Sequence, residues 1–258
     1  MTRPLPRISV VVLTRNEGAM LRQTVEALDA TLPASAEIVV VDDGSADGSA
    51  DFLQRRKSRR KRLFRTRNLG VARGRNFGAS KALGSVLVFS DAHVDPPSGW
   101  WKPLLEVLED PAVGACGPGI TDYADRERRG FGMRFINSAL NAEWLCPEYD
   151  DVLPVPLLPG GFWAIRREVF EKTGGLDGGM LHWGSEDFEF SLRLWMMGYE
   201  LRVAPEVEVA HLFRYESPYP VENHWPRHNQ LRTAYVHFSD ERFERVRQSL
   251  SQLEDFEL

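Results

Sequence analysis

Three short runs of apolar, mostly β-branched residues constrain the fold of this chain more than any other feature. They are Ile8–Leu13, Glu37–Val41 and Val86–Ser90. Continuous apolar runs of this length are typical of parallel strands that are buried on both faces. Helical periodicity lies between them, so the pattern predicts right-handed βαβ units and an α/β fold with a Rossmann-like, mostly parallel sheet. The predicted helices are Asn16–Ala30, Ala50–Arg56 and Asn76–Leu83, with a short strand at Leu63–Thr66.

The second half of the chain has a different pattern. Gly and Pro residues cluster at Gly114–Gly119 and again at Pro154–Gly161. Beyond them the periodicity predicts two helices, a strand, a long ordered loop and an amphipathic closing segment. These are Arg167–Thr173, Glu186–Met197, Glu200–Val203, Tyr215–Asn229 and Gln230–Leu250. No linker divides the sequence convincingly, so we expect residues 1–258 to form a single domain.

Polar residues follow each of the three apolar runs, at Thr14–Glu17, Asp42–Asp43 and Asp91–His93. The carboxyl ends of parallel strands meet at one edge of a sheet, where ligands bind. Asp91 and His93 are two residues apart, so in an extended chain their side chains point the same way. This mixed oxygen and nitrogen pair suits Mn²⁺ or another divalent ion such as Mg²⁺. The alternative is a capping Asp beside a surface His.

Three other polar groups each have two interpretations. Asp42–Ser45 fits a turn with a helix cap, or a site that hydrogen-bonds a nucleoside. Glu186 and Asp187 open a predicted helix, where the helix dipole favours carboxylates. With Trp183 they also fit a sugar pocket that contains a general base. His211 stands alone, and a lone histidine is more often structural than a ligand.

Charge and cysteine content exclude some classes of protein. The net charge is −5, although nine Lys or Arg and no acidic residue lie between Arg55 and Arg67. This balance argues against general nucleic-acid binding, and the basic run fits a solvated surface or, alternatively, a docking patch for an anionic partner. Cys116 and Cys146 have no partner at metal-ligand or redox spacing, which predicts free core thiols. No segment predicts a membrane span or a signal peptide, so the expected location is cytoplasmic.

Taken together and in order, the motifs carry a family resemblance that covers about Ile8–Asp240. The first three motifs resemble the donor half of family 2 glycosyltransferases with the GT-A fold. The next three resemble the catalytic domain of polypeptide N-acetylgalactosaminyltransferases, which Asp91-x-His93 also matches. The six motifs are Val10–Glu17, Val39–Ser45, Arg67–Asn76, Pro159–Phe170, Trp183–Trp195 and His211–Tyr219.

The resemblance implies a fold, a reaction and a set of site residues. It implies a GT-A domain with a nucleotide-binding half (1–115), an acceptor half (116–240) that holds a smaller mixed sheet, and a C-terminal helix (241–258). It implies a nucleotide-sugar donor, in this case a UDP-sugar, and a Mn²⁺ or Mg²⁺ held by Asp91, His93 and His211. Arg214 and Tyr219 match a mobile loop that closes on UDP. The implied donor-binding residues are Thr14, Arg15, Asn16, Glu17, Asp42, Asp43, Arg73, Asp91, Gly160, Gly161, Trp183, Arg214 and Tyr219.

One departure from the family pattern concerns stereochemistry. Asp187 stands where the N-acetylgalactosaminyltransferases have Asn, and Asp at this place is the catalytic base of inverting GT-A enzymes. We therefore expect an inverting enzyme with Asp187 as general base and Glu186 beside the transferring sugar. One alternative is a retaining enzyme that acts on a peptide hydroxyl, and another is a nucleotide-sugar-binding module without turnover. The acceptor stays open, a peptide or a glycan being two candidates.

Overall fold

A computed structural model describes residues 8–54, 58, 60–146 and 151–253. The first half contains, in chain order, β1 (Ile8–Thr14), α1 (Ala19–Thr31), β2 (Glu37–Asp42), α2 (Asp51–Gln54), β3 (Lys61–Arg65), α3 (Val71–Lys81), β4 (Val86–Ser90), β5 (Val94–Asp95) and α4 (Trp101–Val107). The second half contains β6 (Val113–Asp122), β7 (Arg129–Gly130), β8 (Met133–Phe135), β9 (Ala142–Trp144), β10 (Leu153–Pro154), β11 (Phe162–Arg166), α5 (Arg167–Lys172), α6 (Glu186–Met196), β12 (Glu200–His211), α7 (His224–His237) and α8 (Asp240–Leu250).

One large sheet runs through both halves of the chain, in the order β10-β12-β6-β11-β4-β1-β2-β3. The strands β4, β1, β2 and β3 are parallel to one another, as the apolar runs predict. β11 lies antiparallel to both β4 and β6, and β12 is parallel to β6. The smaller sheet of the second half, predicted as mixed, is an antiparallel pair of β8 and β9. The α/β prediction is confirmed.

Helices cover both faces of the sheet because both faces of its strands are apolar. One core cluster joins alternate residues of β1 and β2, including Val10 and Ile38, to α1 and α4. The other joins the intervening residues, including Val11 and Val39, to α3, α5 and α6. A third, smaller cluster lies between α7, α8 and Leu140. This layered packing fixes the strand ends, which carry the polar residues of interest.

Glycine explains two differences from the predicted elements. The helix predicted at Asn76–Leu83 begins earlier, at Val71. A Cβ at Gly74 or Gly78 would lie 2.6 or 2.3 Å from side-chain atoms of β1, so these glycines let α3 approach the sheet closely. The Gly114–Gly119 cluster, to which the sequence pattern assigns no element, is part of the fully buried β6. There the glycines make room for large side chains of neighbouring segments.

The remaining differences concern element ends. The loop predicted at Tyr215–Asn229 is too long, because α7 begins at His224 with Pro226 in its first turn, where proline is tolerated. β12 joins the predicted strand Glu200–Val203 to the apolar run after it, with an irregular register between Ala204 and Glu208. The closing segment Gln230–Leu250 is divided between α7 and α8. The predicted division at residue 115 falls inside β6, and the single domain stays a prediction.

The basic run is mostly neutralised where the structure describes it; residues 55–57 and 59 lie outside the described residues. Arg60 and Lys61 pair with Asp29, and Arg62 pairs with the buried Glu37. Arg65 pairs with both Asp42 and Asp51. These charges flank or form the edge strand β3, where Lys and Arg prevent pairing with other chains. The observation favours the solvated-surface interpretation over a docking patch.

The two cysteines differ. Cys116 is a buried free thiol whose pKa burial raises above its usual range, as expected for a core thiol. Cys146 is also free but is exposed, so the prediction of a core thiol is wrong there. Among the described residues, no helix is both long and apolar enough to cross a bilayer. The cytoplasmic location stays a prediction.

Candidate active site

The carboxyl ends of β1, β2 and β4 lie side by side, with Thr14 opposite Asp42 and Val12 opposite Ser90. A cleft of about 810 Å³ opens at this edge of the sheet. Other lining residues precede β11, follow β12 or lie at the start of α6. The arrangement follows from the topology, because parallel strands deliver their polar ends to one edge.

Asp91, His93 and His211 form a cluster in this cleft, with ligand-type atoms all within 4.8 Å of one another. Asp91 and His93 follow β4, and the pairing of His211 with Val94 brings the end of β12 beside them. An Oδ atom of Asp91 lies 3.1 Å from His211 Nε2. Burial opposes ionisation of Asp91, yet the hydrogen bond with His211 and the charge of Arg75 outweigh it and hold its pKa well below the usual range.

The cluster fits a divalent cation. One carboxylate and two imidazoles are a ligand set that suits Mn²⁺. Asp91 is held in its charged form, as a ligand must be. Gly161 leaves the necessary room, because a Cβ there would lie 2.9 Å from His211 Cδ2 and 3.6 Å from Asp91 Oδ2. The predicted ligands are therefore brought together.

A second acidic group, Glu186 and Asp187, lies across the same cleft at the start of α6. Asp187 accepts hydrogen bonds from the backbone N–H groups of Gly160, at 2.7 Å, and Phe188, at 2.9 Å. Glu186 accepts one from the N–H of Gly184 at 3.0 Å. Burial, and next the neighbouring charge of Glu186, raise the pKa of Asp187 to about 7. Burial also raises the pKa of Glu186, so the pair holds a proton near neutral pH.

Arg75 connects the two acidic groups and was missed by sequence reasoning. It is only 2% exposed, and its Nη2 donates to Asp91 Oδ1 at 2.8 Å and to the Gly160 carbonyl at 2.7 Å. Its Nη1 lies 3.6 Å from Glu186 Oε1. The available signal was its position on the sheet-facing side of α3, among small buried residues such as Ala72 and Ala79.

The nucleotide-side residues divide into those that line the cleft and those that shape it. Thr14, Arg15, Glu17 and Asp43 line it. Asp43 accepts hydrogen bonds from Thr66 Oγ1 and from the N–H groups of Leu69 and Gly70, and thereby holds the loop before α3.

Three predicted donor-binding residues lie outside the cleft lining that the described residues form. Asp42 accepts a hydrogen bond from the N–H of Ser45 and pairs with Arg65. Asn16 receives the N–H of Ala46 on its side-chain oxygen. Arg73 donates to the carbonyl of Gly178 on the outer side of α3, where the helix turns it away from the sheet edge. That Arg73, Asn16 and Asp42 contact the donor stays a prediction.

The segment Leu212–Asn223, between β12 and α7, covers one side of the cleft. Arg214 donates to Glu17 at 2.6 Å, and the guanidinium of Arg15 lies 5.2 Å from the centre of the Tyr219 ring. Burial, together with nearby Asp91 and Glu17, raises the pKa of Tyr219 to about 12. Trp183 also lines the cleft and is 45% exposed. Arg214, Tyr219 and Trp183 therefore face the cleft as predicted.

Two family models and several curated proteins match this chain. The family model for glycosyl transferase family 2 matches residues 9–174, and a model described as the N-terminal domain of galactosyltransferase matches residues 145–218. The chain is 35% identical over 257 residues to polypeptide N-acetylgalactosaminyltransferase 11 of Xenopus tropicalis, covering 90% of this chain and 43% of the relative. It is 36% identical over 231 residues to polypeptide N-acetylgalactosaminyltransferase 8 of Drosophila melanogaster, covering 81% of this chain and 38% of the relative.

A solved structure, GalNAc-T7 with UDP, GalNAc and Mn²⁺, superposes with a TM-score of 0.79 at 27% identity and covers 90% of this chain and 49% of that one. This chain spans less than half the length of these curated relatives. The GT-A fold and the resemblance to polypeptide N-acetylgalactosaminyltransferases are thereby confirmed. Because the family model matches well over half of its residues, the chain belongs to glycosyl transferase family 2.

Proposed function

We propose that this chain is a Mn²⁺-dependent glycosyltransferase that takes a UDP-sugar and transfers the sugar, with retention of configuration, to a hydroxyl group of a peptide. The observation that carries the proposal is the single cleft that joins the Asp91, His93 and His211 cluster to the Glu186 and Asp187 pair. The diphosphate of a bound donor would lie at the cluster, and its sugar would lie at the carboxylate pair. The names of the relatives support N-acetylgalactosamine as the sugar and a polypeptide as the acceptor.

Asp91, His93 and His211 would hold the Mn²⁺, which when bound neutralises negative charge on the departing diphosphate. Arg214 would add a second positive charge beside it. Asp43 would fix the loop at Leu69 and Gly70 against the nucleoside, since its two oxygens accept the N–H groups of both residues, at 2.7 and 2.9 Å. Closure of Leu212–Asn223 would exclude water from the reacting sugar and limit hydrolysis.

The stereochemical proposal depends on what Asp187 does. Both of its carboxylate oxygens accept backbone hydrogen bonds, from Gly160 and Phe188. This supports a positioning role, in which Asp187 holds the turn before Gly161 in place beside the sugar. The relatives support the same view, since they are N-acetylgalactosaminyltransferases and the family resemblance implies retention for them.

Inversion with Asp187 as general base is the second candidate, and one observation favours it. The pKa of Asp187 is raised to about 7, which is near the optimum for a general base at neutral pH. The two candidates differ in the anomeric configuration of the product. NMR of the product made from an α-linked donor decides between them, because an α-linkage means retention and a β-linkage means inversion.

The peptide acceptor is supported by an apolar wall of the cleft near β8 and β9. Met133, Trp144, Phe188 and Phe213 line this wall, two of them on the β8–β9 pair. Phe135 of that pair packs edge-on against Phe188, with ring centres 5.9 Å apart. Aromatic and apolar surfaces of this kind bind extended peptides through side-chain contacts.

The proposed function is tested with a panel of UDP- and GDP-sugars, Mn²⁺ and peptides that contain Ser or Thr. We expect release of UDP from UDP-N-acetylgalactosamine to rise when peptide is added, with a matching mass increase of the peptide. Binding of donor without transfer or hydrolysis would instead identify a non-catalytic binding module. Transfer to glycans but not to peptides would contradict the proposed acceptor.

A further inference from the structure

Glu17 contacts two different parts of the candidate site at once. It is 8% exposed and lies just after β1. Its Oε1 lies 3.2 Å from His93 Nδ1, and its Oε2 accepts a hydrogen bond from Arg214 Nη2 at 2.6 Å. Each oxygen of one buried carboxylate therefore contacts a different partner, one in the metal-ligand cluster and one in the segment Leu212–Asn223.

The contact with His93 determines which ring nitrogen is free. The other oxygen of Glu17 pairs with the guanidinium of Arg214 at 2.6 Å, and a guanidinium can only donate, so the side chain of Glu17 is present as a carboxylate. An ionised carboxylate only accepts hydrogen bonds, so His93 Nδ1 must carry the hydrogen. Nε2 then keeps its lone pair and is the nitrogen of His93 left to bind a cation.

The buried Nδ1 atom of His211 has no equivalent partner among the described residues. The Nε2 atom of the same ring contacts Asp91. The ring of His93 lies edge-on to that of His211, with centres 4.6 Å apart. Because the two rings are in contact, fixing His93 also limits how the ring of His211 can turn.

The other oxygen of Glu17 holds Arg214. Arg214 is three residues beyond His211, at the start of the segment that covers the cleft. The Oε2 of Glu17 holds its guanidinium close to the cluster, and the same carboxylate balances its charge. Binding of a cation at the cluster and the position of Arg214 thus both depend on the side chain of Glu17.

We propose that Glu17 is a positioning residue that fixes the cation-binding tautomer of His93 and docks Arg214 beside the metal cluster. The two contacts couple cation binding to the position of Leu212–Asn223. The catalytic meaning of this coupling rests on the proposed function, whereas the coupling itself is measurable with metal alone.

Glu17→Gln separates the two contacts because glutamine has one acceptor and one donor where glutamate has two acceptors. The guanidinium of Arg214 requires the acceptor, so the amide NH₂ of the substituted side chain faces His93 Nδ1. His93 must then carry its hydrogen on Nε2, which blocks the nitrogen that binds the cation. We expect Mn²⁺ affinity to fall about 10- to 100-fold, the range for loss of a residue that orients a ligand.

A double substitution makes the inference specific. In E17Q/R214Q the competing guanidinium is gone, so the amide oxygen of residue 17 is released to accept from His93 Nδ1. R214Q should therefore raise Mn²⁺ affinity more in the E17Q protein than in the wild type. Because Glu17 and Arg214 are in contact, coupling of the two substitutions alone would not distinguish the roles. A role of Glu17 as general negative charge, or as a support for folding, predicts no change of the His93 tautomer in E17Q.

The experiment measures Mn²⁺ binding by titration calorimetry and the His93 tautomer by long-range ¹H–¹⁵N NMR of the metal-free protein. The matched control is Asp47→Asn, which removes a carboxylate that accepts from the neighbouring Gly18 N–H at 2.9 Å without contacting His93. D47N should bind Mn²⁺ like the wild type and keep the Nδ1–H tautomer. Glu17→Asp keeps the charge but shortens the side chain, and should also lose affinity; it serves if E17Q does not fold.

The results distinguish this inference from the proposed function. If the wild type binds Mn²⁺ and E17Q shows the same affinity and the same His93 tautomer, the role of Glu17 is overturned and the proposed function is not. A wild-type protein that does not bind Mn²⁺ overturns the proposed function and the metal-dependent half of this inference together. Loss of affinity and a change of tautomer in E17Q, with partial recovery in E17Q/R214Q, establish the coupling.

Discussion

Gly161→Ala should weaken cation binding without unfolding the protein. A Cβ at residue 161 would lie 2.9 Å from His211 Cδ2 and 3.2 Å from His211 Nε2. Favourable separations between carbon atoms are about 3.5–4.0 Å, so the ring of His211 must retreat by about 0.6 Å or more. Residue 161 precedes β11, and its carbonyl accepts the N–H of Asp91, so the backbone is less free to move than the ring.

The expected size of the effect follows from the tolerance of metal coordination. Ligand distances are kept within about 0.2 Å, so a retreat of about 0.6 Å removes His211 as a ligand or distorts the site strongly. We expect Mn²⁺ affinity to fall at least about 10-fold, which corresponds to about 1.4 kcal/mol. Stability should change little, since the displaced ring borders an open cleft rather than the core.

Calorimetric titration with Mn²⁺ measures the affinity, and thermal unfolding without metal measures stability. Two matched glycines serve as controls. Gly160→Ala would place its Cβ 3.0 Å from Asp187 Oδ2 and 3.2 Å from Arg75 Nη1, and should lower kcat more than Mn²⁺ affinity. Gly178→Ala meets nothing within 4 Å and should change neither. Mn²⁺ affinity of G161A equal to that of G178A would refute the reasoning.

Four further results are expected. EDTA should abolish transfer and Mn²⁺ should restore it, while His211→Ala should stay inactive with added Mn²⁺; activity that survives EDTA contradicts the metal assignment. Calorimetry should give tighter binding of UDP than of GDP because Asp43 shapes the nucleoside pocket, and equal affinities would count against this. Amide exchange of Leu212–Asn223 should slow when UDP and Mn²⁺ are added together; unchanged exchange would exclude closure. The pKa of Asp187 is raised to about 7 in the folded state, so between pH 3.8 and about 7 the unfolded state loses this proton while the folded state keeps it. The folded state is therefore destabilised as pH rises through this window. The Tm of the wild type should therefore fall relative to that of Asp187→Asn as pH rises through this window, and parallel profiles would contradict the raised pKa.

The sequence could predict features that depend on neighbouring residues. The parallel strands β1, β2 and β4 were predictable because their apolar runs have one burial pattern on both faces. The position of Asp91 and His93 followed from the end of such a strand and from their spacing of two residues. The same logic placed Glu186 and Asp187 at the start of a helix, as found for α6.

Features that depend on distant partners were not predictable in this way. β6 contains Gly and Pro, and only the large side chains opposite those glycines explain why it is a buried strand. Asp42 and Asp43 are adjacent in sequence, yet only Asp43 lines the cleft, because neighbours in a strand point to opposite sides. The central place of Arg75 required the docking of α3 against the sheet and the approach of Gly160.

The assembly of the metal cluster has a consequence for the order of events during protein synthesis. His211 and Asp91 are separated by 120 residues, and β12 must pair with β5 before the two side chains meet. At about 5–20 residues per second, the ribosome adds the intervening chain in roughly 6–24 s. During that interval the nascent nucleotide-side strands expose Asp91 and His93 without their third partner. Cation capture is thus delayed until the end of β12 has been made, and any fragment that stops before residue 211 lacks a complete site.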